Sequence, residues 1–354
     1  METALNVQSK MTQRNGRRCS AAGRIRRLSG PTDCVGSLWH FRRSVDCPAG
    51  GRSLWWFSEE TTVTLRYNSA VRTSRNYLFD NCIGIDYSGA GTSESGLAGL
   101  AIYAAERLNE PVPQLPPSGR RRWSRREIAQ WLVEELSRSP NSLVGIDHSF
   151  SFPLEYFDKY RLPLDWDSFL DDFQLHWPTD EAGATVEMIR RGERGAGELR
   201  NGNSRWRRRS EALCRAKSVF HFDVPGSVAK STHAGIPWLR QIRRANRGIF
   251  FWPFDGWSIP SGRPVIVEAY PALWSRMYPQ EDRTDHQHDA YTIAAHFRNL
   301  DEGGSLHAFF SPALSSEERL CAGVEGWIFG VGGSSGGNGG TIIGSRNNLL
   351  KTML

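Results

Sequence analysis

The chain has 354 residues, a net charge of +6 and an ordinary apolar fraction of 39%, so one or two domains with a sizeable core are expected. No apolar run approaches the roughly 20 residues that a membrane-spanning helix needs, and the six cysteines (19, 34, 47, 82, 214, 321) form no CxxC pair, which excludes a zinc knuckle or thioredoxin-type motif and suits reduced thiols in a cytoplasmic protein. Of the 44 Lys/Arg, 13 lie in residues 1–78, with only 5 of the 38 Asp/Glu, so the rest of the chain is near neutral and the net charge argues only weakly for a nucleic-acid partner.

Residues 1–78 are rich in Arg, Ser and Gly and lack periodicity. They superficially fit an organelle transit peptide, but read better as a basic extension, disordered or outside the domain, whose removal up to residue 75 leaves the fold intact. The domain is expected over 79–331. Its first element is a short apolar strand, Cys82-Ile83-Gly84-Ile85, ending in Asp86 and the small-residue turn Ser88-Gly89-Ala90. Residues 96–103 are expected to pair back on it around a turn at 92–95, and Pro111 to Pro117 read as an extended linker. Ser124 and Glu127 make a capping-box pattern. Ile128, Trp131, Leu132 and Leu136 at helical spacing then predict a helix to about residue 137. A second strand at 142–147 repeats the first and ends in Gly145-Ile146-Asp147. A helix followed at once by a buried strand is the back half of an α/β crossover.

Further on, 156–173 predict two short helices, the second around 165–174. Residues 190–209 are strongly basic and broken by glycines. Within them Arg205, Trp206, Arg207, Arg208 and Arg209 are candidate contacts for phosphates and a stacked base, with a solvated insertion as the plainer alternative. An amphipathic helix at 235–244, an apolar strand at 248–254, a strand Val265-Ile266-Val267 ending in Glu268, and a helix at 285–297 carrying Asp285 and Asp289 complete the domain. Residues 332–354 are Gly/Ser/Asn-rich and expected to be a flexible tail.

Four acids stand at the ends of separate elements: Asp86, Asp147, Glu268 and Asp289. If they converge, their mutual repulsion calls for a hard cation, and Mg²⁺ or Mn²⁺ takes carboxylate and water ligands. Two such ions about 4 Å apart can activate a water and stabilise the leaving oxygen of a phosphodiester. On this reading the four acids are both metal ligands and catalytic residues, with Asp86 bridging and Asp289 orienting the water. His148, His286 and His288 belong to no zinc frame such as HExxH and read as satisfied or exposed histidines.

The order of GIDYSGA, GIDHSFSFP, VIVEAYPALW, HDAYTIAAH and EGWIFGV, with GSVAKSTHAGIPWLRQIR at 226–243, resembles the domain-of-unknown-function family number 429, which is described as ribonuclease H-like and predicted to comprise nucleases. The resemblance covers about 80–331. It implies an α/β fold, a ribonuclease H-like mixed sheet flanked by helices on both faces, with acids at one edge, and it places the family's acids on Asp86, Asp147, Glu268 and Asp289. His148 after the second strand departs from the pattern, and the 190–209 insertion has no match in it.

The leading expectation is therefore a Mg²⁺- or Mn²⁺-dependent phosphodiesterase or nuclease acting on nucleic acid, DNA or RNA, without membrane attachment. One alternative is a kinase of the actin-like ATPase group, whose first strand also carries a Gly-Ile-Asp-like turn; it needs further glycine-rich phosphate loops, and the only glycine-rich run, 332–340, has no following helix and Lys frame. The other is a catalytically inactive ribonuclease H-like binding or scaffold protein.

Overall fold

In the computed structural model the described residues are 77–333, with a separate two-residue antiparallel ladder of Met11–Thr12 on Arg18–Cys19. The chain divides between Val71 and Arg72 into two units. The remaining expectations for 1–76 and 334–354 lie outside the described residues.

Six strands form one mixed sheet: β1 (Asn81–Asp86), β2 (Ala101–Glu106), β3 (Val112–Pro113), β4 (Ser142–Asp147), β5 (Phe250–Phe251) and β6 (Val265–Glu268), in the order β3-β2-β1-β4-β6-β5. The first three are antiparallel, and β1, β4, β6 and β5 run parallel. This is an α/β fold with ribonuclease H-like topology. The helices are α1 (Arg125–Arg138), α2 (Leu154–Tyr160), α3 (Trp166–His176), α4 (Val186–Arg190), α5 (Arg209–Cys214), α6 (Ala229–Ala245), α7 (Asp285–Glu302), α8 (Leu306–Phe309) and α9 (Ser316–Glu325). Among the described residues no helix is long and apolar enough to cross a membrane.

Strand alternation divides the core in two. Ile83, Ile85, Val144, Ile146 and Ile266 face one side, where they pack with Ile128 and Leu132 of α1 and Ile236, Leu239 and Ile242 of α6. Cys82, Leu143, Val265 and Val267 face the other side and meet Ile293 and Phe297 of α7. The capping box at Ser124 forms as the sequence predicts, and Asp165 caps α3.

Four boundaries differ from the sequence reading. The return strand β2 starts at Ala101, not near 96: the Leu97 N–H donates to the Trp123 carbonyl at 2.9 Å instead of to β1, and the guanidinium of the buried Arg125 holds the earlier part of the loop through the carbonyls of Ser88, Ala90 and Gly91. The predicted linker contributes β3, an edge strand where Pro113 costs no ladder bond. The predicted strand at 248–254 shrinks to two residues, and α6 begins at Ala229, before Gly235.

Candidate metal centre

Alternation also decides which acids can meet. Counting along β1 from Ile83 and Ile85, Asp86 leaves the sheet on the α7 side with Gly84; along β4, Asp147 does the same with Gly145. Parallel register sets Asp86 directly beside Asp147. The two glycines let α7 lie against the strands. A Cβ on Gly84 would stand 2.1 Å from the Ala290 carbonyl oxygen, and one on Gly145 would stand 2.5 Å from Cγ2 of Ile293. Thr284 caps α7 and Gln287 completes its capping box, so the first turns of the helix are fixed over the strand ends. One carboxylate oxygen from each of Asp86, Asp147 and Asp289 then lies within 4.8 Å of the others.

The electrostatics follow from that crowding. Burial, followed by the charges of Asp86 and Asp289, raises Asp147 well above the usual carboxylate range. Asp289 is pushed up to about 6 by burial and then by Asp86. Burial raises Asp86 too, against the pull of His286, whose Nδ1 lies 2.7 Å from Asp86 Oδ2. The same bond raises His286 above the ordinary histidine range. Among the described residues Asp147 and Asp289 have no hydrogen-bond or ion-pair partner for their carboxylates. Three carboxylates that converge, with His286 the only cationic side chain bonded to them among the described residues, suit a hard divalent cation.

Sequence reasoning left His286 as a satisfied or exposed histidine and gave it no place in the site. Its ring is half exposed, and it is the ion-pair partner of Asp86. The available signal was its spacing: His286 and Asp289 are three residues apart on one helix and so share a face. Asp285, in the same turn, accepts instead from Gln280 at 2.8 Å.

The structure does not bring Glu268 into the cluster. Its register partner is Ile146, so it leaves the sheet on the opposite face from Asp147. There it accepts from the Phe150 N–H at 3.2 Å and from the Arg208 guanidinium at 2.6 Å. Arg208 is fully buried; it also donates to Ser149 Oγ at 2.7 Å and to Glu211 Oε1 at 2.8 Å. Burial pushes Glu211 up to about 7 even so.

Arg208 is therefore out of reach of an external phosphate, which corrects the sequence reading at that position. Arg209 is half-buried and paired with Glu318. Trp206 is half-buried edge-on to Phe220, beneath the Lys159 ammonium. Arg205 is exposed and Arg207 half-buried. His148, the departure from the family pattern, is a packing residue: its ring lies 4.6 Å from that of Tyr87 and fills the space a Cβ on Gly235 would need. Burial holds it down to about 4, so it is neutral.

No protein-family model, curated protein or solved structure matches the chain. The ribonuclease H-like topology stands on strand order and register.

Proposed function

We propose that this chain is a metal-dependent phosphodiesterase, a ribonuclease H-like nuclease, whose Asp86, Asp147 and Asp289 hold Mg²⁺ or Mn²⁺. The observation that supports it is the carboxylate triad, three acids from two strands and a helix within 4.8 Å of one another. Such a cation would neutralise the triad and polarise a phosphoryl oxygen. Asp86 has Asp147 across the strand pair and Asp289 on α7, so all three would be available to an ion held there. Asp147 reaches in from the neighbouring strand and Asp289 from the helix. His286 holds a proton between Nδ1 and Asp86 Oδ2 at the mouth of the site. Glu268, which the resemblance to family number 429 would add to the site, is instead paired with Arg208 and leaves the sheet on the opposite face from Asp147.

The test is a Mn²⁺ titration by calorimetry beside a nuclease screen on single-stranded, duplex, hybrid and branched substrates, wild type against Asp86→Asn. Activity is expected to fall by about 100-fold or more, the scale of losing one charge-stabilising group at a reaction centre, while the melting curve in EDTA stays unchanged or rises. If Asp86→Asn and Asp289→Asn both bind Mn²⁺ as tightly as wild type, the proposal fails. The His286–Asp86 bond favours a second reading, an inactive binding domain, because it already gives the cluster a neutralising proton. A wild-type protein that binds no Mn²⁺ or Mg²⁺ would select that reading.

A further inference from the structure

Of the arginines that the sequence offers for phosphate contact, Arg207, Arg208 and Arg209 are engaged, and among the exposed arginines elsewhere without a partner two are adjacent and share a cleft. Arg121 and Arg122, in the loop between β3 and α1, are exposed and make no hydrogen bond or ion pair with their guanidinium groups among the described residues. By contrast Arg126, Arg190, Arg200, Arg240, Arg243 and Arg298 each meet a carboxylate.

The two free arginines line one wall of an open cleft of about 600 Å³. That wall is rigid: Trp123 is buried and donates its indole N–H to the Gln114 carbonyl at 2.8 Å. Thr284 and Gln287, the capping pair of α7, line the cleft from the other side. Its apolar surface includes Leu97, Pro113 and Leu115, the last 74% exposed. Ala101, also in the lining, is the register partner of Asp86, and His286, which bonds Asp86, sits between Thr284 and Gln287 on α7. The cleft therefore lies next to the triad, with lining residues that neighbour Asp86 and His286 although neither of these lines it.

We infer that this cleft seats a single-stranded segment of nucleic acid, with Arg121 and Arg122 on its phosphates and the apolar wall against its unstacked bases. The inference extends the phosphodiesterase reading to the substrate's path, and it rests on that reading for what the cleft delivers. Two guanidinium groups without partners give up no ion pair when they meet a phosphate. They also offset the repulsion that the triad exerts on a polyanion. A duplex keeps its base faces stacked away, whereas a single strand presents phosphates and base faces together, which matches a wall that is both cationic and apolar.

The test is fluorescence anisotropy of a labelled single-stranded oligonucleotide and of a hairpin duplex, over a salt series in EDTA, so that no metal ion contributes. Arg121→Ala/Arg122→Ala is compared with the charge-matched Arg138→Ala/Arg247→Ala, whose residues precede the starts of β4 and β5, at the opposite end of those strands from the triad. The first pair should weaken single-strand binding about tenfold and flatten the slope of log K against log salt by about 1.4, two phosphate contacts at roughly 0.7 each. The control pair should leave both nearly unchanged. Equal losses in the two double variants would overturn the inference, as would a duplex bound more tightly than the single strand. A Mn²⁺ titration of the same proteins separates the two ideas: a wild type that binds no Mn²⁺, yet binds the strand through Arg121 and Arg122, removes the metal reading and keeps the cleft.

Discussion

Arg208 carries five N–H donors into the buried interior, where each needs a partner. Glu268, Glu211, Ser149 and the Glu325 carbonyl do so. Removing one member of such a group leaves buried charge uncompensated, at a cost of about 3–5 kcal/mol. Arg208→Ala is accordingly expected to lower the free energy of unfolding in urea by about that amount, and Arg205→Ala, at an exposed site, to change it by less than about 0.5 kcal/mol. Equal effects of the two would show that the buried group adds nothing. The contrast also marks what single residues reveal in a sequence. Asp86 and Asp147 were legible because an acid closing an apolar strand is anomalous without a partner. Arg208 looked like its exposed neighbours, because what distinguishes it is Glu268, 60 positions away. His286 was hidden for the same reason: its partner lies on β1, 200 positions earlier.

The seating of α7 on β1 and β4 sets the triad at the scale of elements. Gly84 and Gly145 each leave space that the helix fills, but the neighbours differ in kind. At Gly84 an added methyl meets the backbone of Ala290 and Ala294, which cannot turn aside; at Gly145 it meets the side chains of Ile293 and Phe297, which can. Overpacking of this sort costs about 1–3 kcal/mol. Gly84→Ala is expected at or above the top of that range and Gly145→Ala below it. Both should weaken Mn²⁺ binding although no ligand has changed, because α7 carries Asp289. Calorimetry on the folded Gly145→Ala protein checks this, and full metal affinity there would mean the helix seating does not govern the triad. Local signals made the capped helices and the two Gly-Ile-Asp strands readable in advance. The start of β2 was not, because the loop before it is held by the Trp123 carbonyl and Arg125 from beyond β3, contacts with no trace in the loop's own composition.

Across the whole molecule, titrating groups pull stability in opposite directions, and the triad's share has to be isolated. His148, His233 and His296 are held at about 4, 3 and 4 by burial. They are neutral when folded but take up protons when unfolded, so stability rises with pH from about 4 to their ordinary value of about 6.5. The triad acts the other way. Asp289 sits at about 6 in the folded protein, against about 3.9 for an ordinary aspartate. Between those values the folded state binds more protons than the unfolded one, so this contribution falls as pH rises. The raised His286 adds to the same trend, since stability from its bond to Asp86 is lost as pH climbs through the folded value. Comparing Asp289→Asn with wild type cancels the buried histidines and leaves the triad. In EDTA at pH 7.5 the variant is expected to melt higher than wild type, because one of three repelling charges is gone. The gap should close as pH falls through about 6, where wild-type Asp289 takes up its proton. Adding Mn²⁺ to 100 times its dissociation constant stabilises wild type by about 2.7 kcal/mol, which at about 2–4 °C per kcal/mol for a domain of this size is several degrees. The variant should gain much less, so the order of the two melting temperatures reverses at pH 7.5. At pH 5 the wild-type gain should shrink, since protons compete for the same oxygens. Melting curves with and without Mn²⁺ at the two pH values decide it: a gap in EDTA that does not change with pH, or an equal Mn²⁺ shift in both proteins, would mean that the three carboxylates do not act as one site.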